Sequence, residues 1–182
     1  QSWVLAVTSM LSEIQSKAKS LGVKPISLVI SATSGTFTLV NESGTAVIPA
    51  AMYNDSRAAN PVDRAIFIAA SEKLSGRLHL VHTPEFVIAA LLGKNPKDIA
   101  TDWSHALKTG VDLDTKTYSP EILERAQSKN ISLPTIVSPG TKLGAIGELN
   151  IYAGMTDGCT AQISTGGADV GSAVTTLETT ME

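Results

Sequence analysis

The chain has 182 residues, of which 43% are hydrophobic and 17% are charged. This balance excludes a disordered chain and predicts one globular domain with a sizeable core. The formal net charge is −3, from 14 basic and 17 acidic residues, which disfavours a nucleic-acid surface. No apolar run approaches the ~20 residues of a membrane span. The single cysteine excludes an intrachain disulfide and fits a reducing, cytoplasmic or plastid compartment.

The first part of the chain predicts a helix, a strand, a hairpin and a second helix. Apolar residues at helical spacing predict an amphipathic helix over Ser2–Ser20. The short apolar segment 26–31 predicts a buried strand. Segments 36–40 and 45–48, separated by turn residues, predict a β-hairpin. Pro61 fits the first turn of a helix that runs to about residue 74.

The middle of the chain predicts two further helices. Thr83-Pro84-Glu85 predicts the start of a helix that ends before Gly93. Ser119 is predicted to be the N-cap of a short helix that runs to about residue 128. Residues 98–109 allow no clear assignment. Helices that alternate with strands indicate the α/β class.

One carboxylate follows a predicted strand, with glycines on both sides. Apolar residues 149–152 lead into Ala153-Gly154-Met155-Thr156-Asp157-Gly158-Cys159-Thr160-Ala161. Glycine allows a sharp turn and the close approach of a ligand, so Asp157 could face a bound hydroxyl and accept its proton. The alternative is an ordinary strand–turn–helix junction, in which Asp157 caps a helix over residues 157–164. Both interpretations stay open at this point.

A second polar group lies near residue 182. The segment Thr175-Thr176-Leu177-Glu178-Thr179-Thr180-Met181 offers hydroxyls and backbone N–H groups of the kind that hold phosphate, and a final strand is predicted over residues 173–180. One base and one phosphate-binding loop together suggest phosphoryl transfer to an alcohol.

Two more segments carry side chains suited to a polyol. Ser31-Ala32-Thr33-Ser34-Gly35-Thr36 follows the predicted strand, at the end where ligands gather in open α/β sheets. Tyr53-Asn54-Asp55-Ser56-Arg57 combines an aromatic ring, an amide, a carboxylate and a guanidinium, and sugar hydroxyls both donate and accept hydrogen bonds. The alternatives are a plain turn and a solvated loop with a local Asp–Arg pair.

Other polar side chains receive structural interpretations. Thr101-Asp102-Trp103-Ser104-His105 has a similar mix of groups, and Trp103 is interpreted as a core residue. His79 and His82 lie three apart, but zinc sites usually need three or four ligands, so no metal is expected there. Cys159 is predicted to be a small buried hydrophobic residue.

Short motifs with a characteristic order and spacing extend over essentially the whole chain. They are Trp3 with its helix, Ile30-Ser31-Ala32-Thr33-Ser34-Gly35-Thr36, residues 44–49, Tyr53-Asn54-Asp55-Ser56-Arg57, Leu92-Gly93, Thr101-Asp102-Trp103-Ser104, Leu107-Lys108-Thr109-Gly110, Leu133-Pro134, Pro139-Gly140-Thr141, Ala153-Gly154-Met155-Thr156-Asp157-Gly158 and Leu177-Glu178-Thr179-Thr180. In this order they resemble the first lobe of the FGGY carbohydrate kinases, most closely the ribulokinase-like and xylulokinase-like enzymes of cyanobacteria and plants.

The resemblance implies an actin-like fold, in which two ribonuclease-H-like lobes close over ATP, Mg²⁺ and a sugar. It implies that Asp157 is the general base. Thr33, Ser34, Asp55 and Arg57 are expected on the sugar side, and Gly158, Thr179 and Thr180 on the phosphate side. Glu178 stands where the family usually has Gly, and a carboxylate beside phosphates is repulsive. The Gln-x-His-Gly pattern of xylulokinases does not occur here, so the substrate need not be xylulose.

The sequence therefore predicts that residues 1–182 are part of an N-terminal lobe, without the family's first phosphate hairpin and second lobe. The complete protein is expected to phosphorylate a ketopentose such as ribulose or xylulose, or a related polyol, while the isolated chain is expected to be inactive. No nucleic acid or membrane is expected as a partner, and association into a homo-oligomer through an exposed edge is expected. The alternative is a non-catalytic domain that binds a sugar or a partner chain.

Overall fold

The computed structural model describes residues 2–167 and 169–175. Five α-helices lie in this part of the chain: α1 Ser2–Ser20, α2 Pro61–Ser71, α3 Thr83–Leu92, α4 Pro120–Ser128 and α5 Asp157–Ser164. Short 3-10 helices occupy Pro96–Asp98 and Leu107–Thr109. The strands are β1 Ser27–Val29, β2 Phe37–Val40, β3 Leu78–His82, β4 Thr101–Asp102, β5 Val111–Asp112, β6 Thr117–Tyr118, β7 Ile131–Ser132, β8 Ile136–Val137, β9 Lys142–Ile146 and β10 Leu149–Tyr152.

The strands form several small sheets. In the first, β10 lies between β1, to which it is parallel, and β9, to which it is antiparallel. In the second, β3 lies between antiparallel β2 and parallel β7. Strands β4 and β8 form a parallel pair, and β5 and β6 an antiparallel pair. The alternation of helices with these sheets confirms the predicted α/β class.

Local sequence signals account for the helix boundaries. The Asn60 side chain accepts a hydrogen bond from the Asp63 N–H at 2.9 Å, directly before Pro61. The Ser119 hydroxyl accepts one from Ile122 at the start of α4, as predicted. Helix α3 ends at Gly93, whose φ of 63° is the left-handed conformation that glycine adopts most readily. The predictions for α1 to α4 are therefore confirmed, to within three residues at the C-terminal end of α2.

Two principal apolar clusters hold these elements together. One packs α2 and α4 against the β2–β3–β7 sheet, and its largest members are Phe37, Leu39, Leu80 and Ile131. The other packs α1 and α3 against β1 and β10, and its buried members are Ile30, Val87, Ile88, Ala89, Ile99 and Ile151. Trp3 of α1 meets Phe86 of α3 edge to face in the second cluster. This second cluster fixes the ends of β1 and β10, where the predicted site residues lie.

Several strand predictions were wrong. Strand β1 is only partly buried, because Ser27 and Val29 are exposed and Leu28 is half-buried against the second cluster, while the buried Ile30 lies just beyond the strand. Strand β3 was not predicted. The second arm of the predicted hairpin, residues 45–48, forms no strand and bridges β2 at one position, Val40 with Ala46; a further isolated bridge, Phe37 with Ala51, lies beyond the arm. Of the predicted strand 173–180, residues 173–175 are not in a strand and the remainder lies outside the described residues.

Within the described ranges, no helix combines the length and the apolar character needed to cross a membrane.

Candidate functional site

Two loops of the predicted site meet because the strands before them are parallel neighbours. The carboxyl ends of β1 and β10 face the same edge of their sheet. Beyond the strands, Ala32 and Thr156 continue the parallel pairing as an isolated bridge. The Asp157 N–H donates to the Ala32 carbonyl at 3.1 Å. The loop that carries Thr33 and Ser34 therefore lies directly beside Asp157.

Asp157 is the first residue of α5, and its carboxylate is exposed. Its Oδ1 accepts only the N–H of the next residue, Gly158, at 3.0 Å, among the described residues. The N-cap of α5 is Thr156, whose hydroxyl faces the Cys159 N–H. The interpretation of Asp157 as the helix cap was therefore wrong, because Thr156 occupies that position. The Asp157 carboxylate lies where an outside group can reach it.

Gly154 is required by the close approach of two backbones. A Cβ atom at this position would lie 2.4 Å from the Ile30 carbonyl oxygen. No side chain can be accommodated at that distance, so glycine allows the chain after β10 to pass beside the end of β1. The sequence suggested that Gly154 allows a ligand to approach. In the structure, Gly154 allows two backbone segments to pack closely.

Hydrogen bonds fix the loop that holds Thr33 and Ser34. The hydroxyls of Thr33 and Thr36 are 2.7 Å apart, and the Thr36 hydroxyl accepts the Tyr53 N–H at 2.9 Å. The Ser34 hydroxyl donates to the His105 carbonyl at 3.2 Å. Because a hydroxyl has one proton and two lone pairs, Ser34 can still accept from a ligand. The loop is thus held in place while part of its hydrogen-bonding capacity stays available.

A buried polar cluster beside these loops is centred on Asp102, at the end of β4. Its Oδ1 accepts hydrogen bonds from the Ser104 N–H at 2.9 Å, the Ser104 hydroxyl at 2.5 Å and the His105 N–H at 3.1 Å. Its Oδ2 accepts the Nδ1–H of His105. The three side chains are almost completely buried. The cluster was not predicted as a unit, although the sequence had suggested polar groups in this segment.

The Asp102 carboxylate is stabilised in its charged form. Burial acts to raise the pKa of Asp102, but the hydrogen bonds from His105 and Ser104 outweigh burial and hold the pKa below its usual range. A carboxylate only accepts hydrogen bonds, so Asp102 determines the direction of every hydrogen bond in the cluster.

Asp55 and Arg57 form the local ion pair that the sequence left as an alternative. The Arg57 Nε–H donates to both carboxylate oxygens at 3.0 Å, and another guanidinium nitrogen donates to Oδ2 at 2.5 Å. The hydrogen bonds from Arg57 lower the pKa of Asp55 to about 2 against the opposing effect of burial. Arg57 remains 44% exposed, so part of its guanidinium is open to solvent.

Arg64 is a buried cation that the sequence analysis missed. Its guanidinium donates to the carbonyls of Gly35, Met52 and Ala58 at 3.2 to 3.4 Å, and its Nε lies 3.8 Å from Asp55. It thereby joins the loop around Asp55 to the loop that follows β1. An arginine on the apolar face of the predicted helix after Pro61 was the available signal.

The remaining predictions have separate outcomes. Thr179, Thr180 and Glu178 lie outside the described residues. Cys159 is half-buried rather than buried, because it lies in the first turn of α5. Residues 2–167 and 169–175 contain no group of three or more His, Cys, Asp or Glu side chains arranged to hold a metal. His79 instead hydrogen-bonds Glu42 at 3.0 Å.

A cavity of about 460 Å³ lies away from these loops. It is lined by residues of β6, α4, β7 and β8, among them Tyr118, and by the adjoining residues Arg77 and Leu133. None of the predicted site residues lines it. The candidate site is therefore the edge where β1 and β10 end.

No protein-family model matches the sequence, and no curated protein matches it. Solved structures do match. One is a xylulose kinase from Lactobacillus acidophilus, with a TM-score of 0.60 and 15% identity. Another is a gluconate kinase from the same organism, with a TM-score of 0.68 and 16% identity. Each match covers 85% of this chain and 39% of the kinase.

At these identities the matches are evidence about the fold. The chain spans about two fifths of the length of each kinase. The predicted resemblance to carbohydrate kinases is confirmed at this level: the described chain has the fold of a part of these two sugar kinases.

Proposed function

We propose that the complete protein transfers the γ-phosphoryl group of ATP to a hydroxyl of a sugar, a ketopentose such as ribulose or xylulose or a related polyol. Residues 1–182 would form part of its N-terminal, ribonuclease-H-like lobe. The observation that carries the proposal is the Ala32–Thr156 bridge, which sets the exposed Asp157 carboxylate beside a loop of hydroxyl side chains. The fold shared with a xylulose kinase and a gluconate kinase supports the reaction class.

Asp157 is the proposed general base. Its carboxylate would accept the proton of the sugar hydroxyl while the hydroxyl oxygen forms its bond to the γ-phosphorus and the bond to ADP breaks. The position suits this role because Asp157 accepts a single hydrogen bond among the described residues, from Gly158. Its remaining lone pairs can therefore face a substrate. A positioned base typically contributes about 10²–10⁴-fold to a rate.

The sugar side of the site is proposed to comprise Thr33, Ser34, Asp55 and Arg57. Thr33 and Ser34 lie beside the Asp157 turn and retain acceptor capacity. Asp55 and Arg57 are linked to that loop through Arg64, which binds the Gly35 carbonyl and lies near Asp55. Because Arg57 neutralises Asp55, this pair presents no net charge, which suits an uncharged sugar.

The phosphate side is proposed to comprise Gly158, Thr179 and Thr180. Mg²⁺ in phosphoryl-transfer sites is generally bound by one or two carboxylates together with the substrate phosphates, whose charge it neutralises. The described ranges contain no group of three or more His, Cys, Asp or Glu side chains for a metal, and no residue is assigned to Mg²⁺ here. We propose that the ion enters with ATP.

The test is sugar-dependent release of ADP by the full-length protein. MgATP would be supplied with xylulose, ribulose, gluconate and a set of polyols, each at several concentrations. We expect release with a neutral pentulose or polyol and none from the isolated 182-residue chain, because phosphoryl transfer needs a second lobe to align donor and acceptor. Binding of these sugars by the full-length protein without any ADP release would instead establish the non-catalytic alternative.

A further inference from the structure

We propose that Asp102 is a positioning residue: through Ser104 and His105 it holds the Asp157 turn and the loop of Thr33 and Ser34 in one fixed arrangement. The proposal rests on the proposed role of Asp157. Asp102 itself is 2% exposed, and within the described part of the chain its carboxylate hydrogen-bonds only Ser104 and His105, so it touches no substrate. Its influence on the reaction would be exerted through those two residues.

The first connection runs through Ser104 to the Asp157 turn. The Ser104 hydroxyl donates its single proton to Asp102 Oδ1 at 2.5 Å. Its oxygen is therefore oriented to accept, and it accepts the Thr156 N–H at 3.0 Å. Thr156 is the N-cap of α5 and directly precedes Asp157. This hydrogen bond thus holds Thr156 in place, and the position of Thr156 determines the orientation of the Asp157 backbone.

The second connection runs through His105 to the loop after β1. Because the Asp102 carboxylate only accepts, Nδ1 of His105 carries a proton. In the neutral imidazole, Nε2 is then an acceptor, and it accepts the Ala32 N–H at 3.2 Å. Nε2 also lies 3.1 Å from the Ala32 carbonyl oxygen, to which it could donate only if it carried a proton. The His105 carbonyl also accepts the Ser34 hydroxyl at 3.2 Å. One residue thus holds both the backbone and a side chain of this loop.

The two connections converge. The Ala32 carbonyl, on the residue held by His105, accepts the N–H of Asp157. The base and the sugar loop are therefore joined directly, at the Ala32–Asp157 hydrogen bond, and indirectly, through Asp102. Catalysis is sensitive to such placement, since a displacement of about 1 Å can cost about 10²-fold in rate.

The Asp102→Asn variant of the full-length protein tests the cluster by spectroscopy. The new amide would place a donor against the Nδ1–H of His105. We expect His105 to change to the tautomer protonated at Nε2, which releases the Ala32 N–H and donates instead to the Ala32 carbonyl, the acceptor of the Asp157 N–H. The ¹⁵N shifts of histidine-labelled protein report this change, and the His105→Gln variant identifies the resonance. A spectrum in which His105 keeps the Nδ1–H tautomer would overturn the proposal.

The Ser104→Ala variant tests the connection to Asp157 by kinetics. We expect kcat to fall on the order of tenfold with little change in the KM for the sugar, because the substrate loop stays held by His105. The Thr156 N–H should also exchange faster with solvent. Ser104→Thr keeps the hydroxyl and should restore most of kcat.

The matched control is Thr38→Val, which also removes one buried hydroxyl. Thr38 lies in β2, and its hydroxyl donates to the Ile48 carbonyl at 3.0 Å rather than to either loop. Both variants should lower the unfolding temperature, but only Ser104→Ala should lower kcat. Equal kcat in the two variants would overturn the positioning role, while the loss of turnover in Asp157→Asn would leave the proposed function intact. Full turnover in Asp157→Asn would instead overturn the proposed function.

Discussion

The fold contains two buried pairs of histidine and carboxylate with the same spacing and different surroundings. His82 and Glu85 are three residues apart, as are Asp102 and His105, and all four side chains are at most 2% exposed. In each pair, Nδ1 of the histidine faces the carboxylate. The pairs differ in what the other nitrogen, Nε2, contacts.

The His82 pair connects elements inside the fold. Nε2 of His82 lies 2.9 Å from the Thr109 hydroxyl, and Thr101 lies 3.3 Å from Nδ1. Glu85 also accepts the His82 N–H at 2.7 Å, which forms the N-terminal capping box of α3. These contacts join β3, α3, β4 and the 3-10 helix Leu107–Thr109. The pair therefore stabilises the core.

The His105 pair connects loops at the edge of the fold. Nε2 of His105 contacts the backbone of Ala32, and Ser104 holds Thr156. The chemistry of a buried histidine–carboxylate pair therefore does not decide whether the pair supports the core or the candidate site. Its role depends on whether the free nitrogen contacts the interior or a loop that carries candidate ligand-binding groups.

The largest effect on stability is expected from Glu85→Ala. The substitution removes the acceptor of two buried donors on His82, and each unsatisfied buried group costs about 1–3 kcal/mol. The free energy of unfolding should fall on the order of 3 kcal/mol, measured by urea denaturation. In the full-length protein, the kcat of the folded fraction should be unchanged, unlike that of Ser104→Ala.

The matched control is Glu42→Ala, which removes an exposed carboxylate from the half-buried His79. Glu42 bonds His79 at 3.0 Å, but its side chain is 56% exposed. Exposed pairs contribute about 0–1 kcal/mol, so this variant should lie close to the wild type. Equal losses in Glu85→Ala and Glu42→Ala would show that burial of the His82 pair has no special effect.

A smaller loss of stability is expected from Gly154→Ala, at the junction that the His105 pair supports. The new Cβ would lie 2.4 Å from the Ile30 carbonyl oxygen, so the backbone must move. Overpacking of this kind costs about 1–3 kcal/mol. Gly144→Ala is the control, because its Cβ would meet the flexible Leu92 side chain at 2.7 Å. A smaller loss in Gly154→Ala than in Gly144→Ala would contradict this account of the junction.

The smallest effect is expected from the pair of the half-buried Asp55 and the exposed Arg57, whose contribution to stability should depend on pH. The pKa of Asp55 is lowered in the folded protein from 3.8 to about 2. Its contribution to stability is therefore fully present above about pH 4 and is lost as the pH falls towards 2. Urea midpoints measured at pH 5 and pH 2.5 should differ less in Asp55→Asn than in the wild type. Identical acid sensitivity in the two proteins would contradict the lowered pKa.

The sequence predicted those parts of the fold that depend on near neighbours. The N-caps Asn60 and Ser119 and the terminating Gly93 act within one turn of their helices, so local patterns predicted α2, α3 and α4. Strand β3 was not predicted because it forms by pairing with β2 and β7, which lie far from it along the chain.

In the candidate site, too, the sequence predicted features with a local pattern but not contacts between distant residues. Asp157 could be singled out because a carboxylate between glycines after a strand is a local pattern. The contacts of His105 with Ala32 and of Ser104 with Thr156 could not, since 73 and 52 residues separate the partners. Hydrogen bonds over such separations exist only once the strands have paired.

The Asp157 carboxylate is proposed to act as a base. The Asp157→Asn variant of the full-length protein tests this role by kinetics. Asparagine keeps the size and removes the base, while Thr156 retains the cap of α5. Sugar affinity and turnover would be measured on the same preparation. We expect near-normal sugar binding, with turnover reduced about 10²–10⁴-fold. Near-normal turnover in Asp157→Asn would contradict the role of Asp157 as a base.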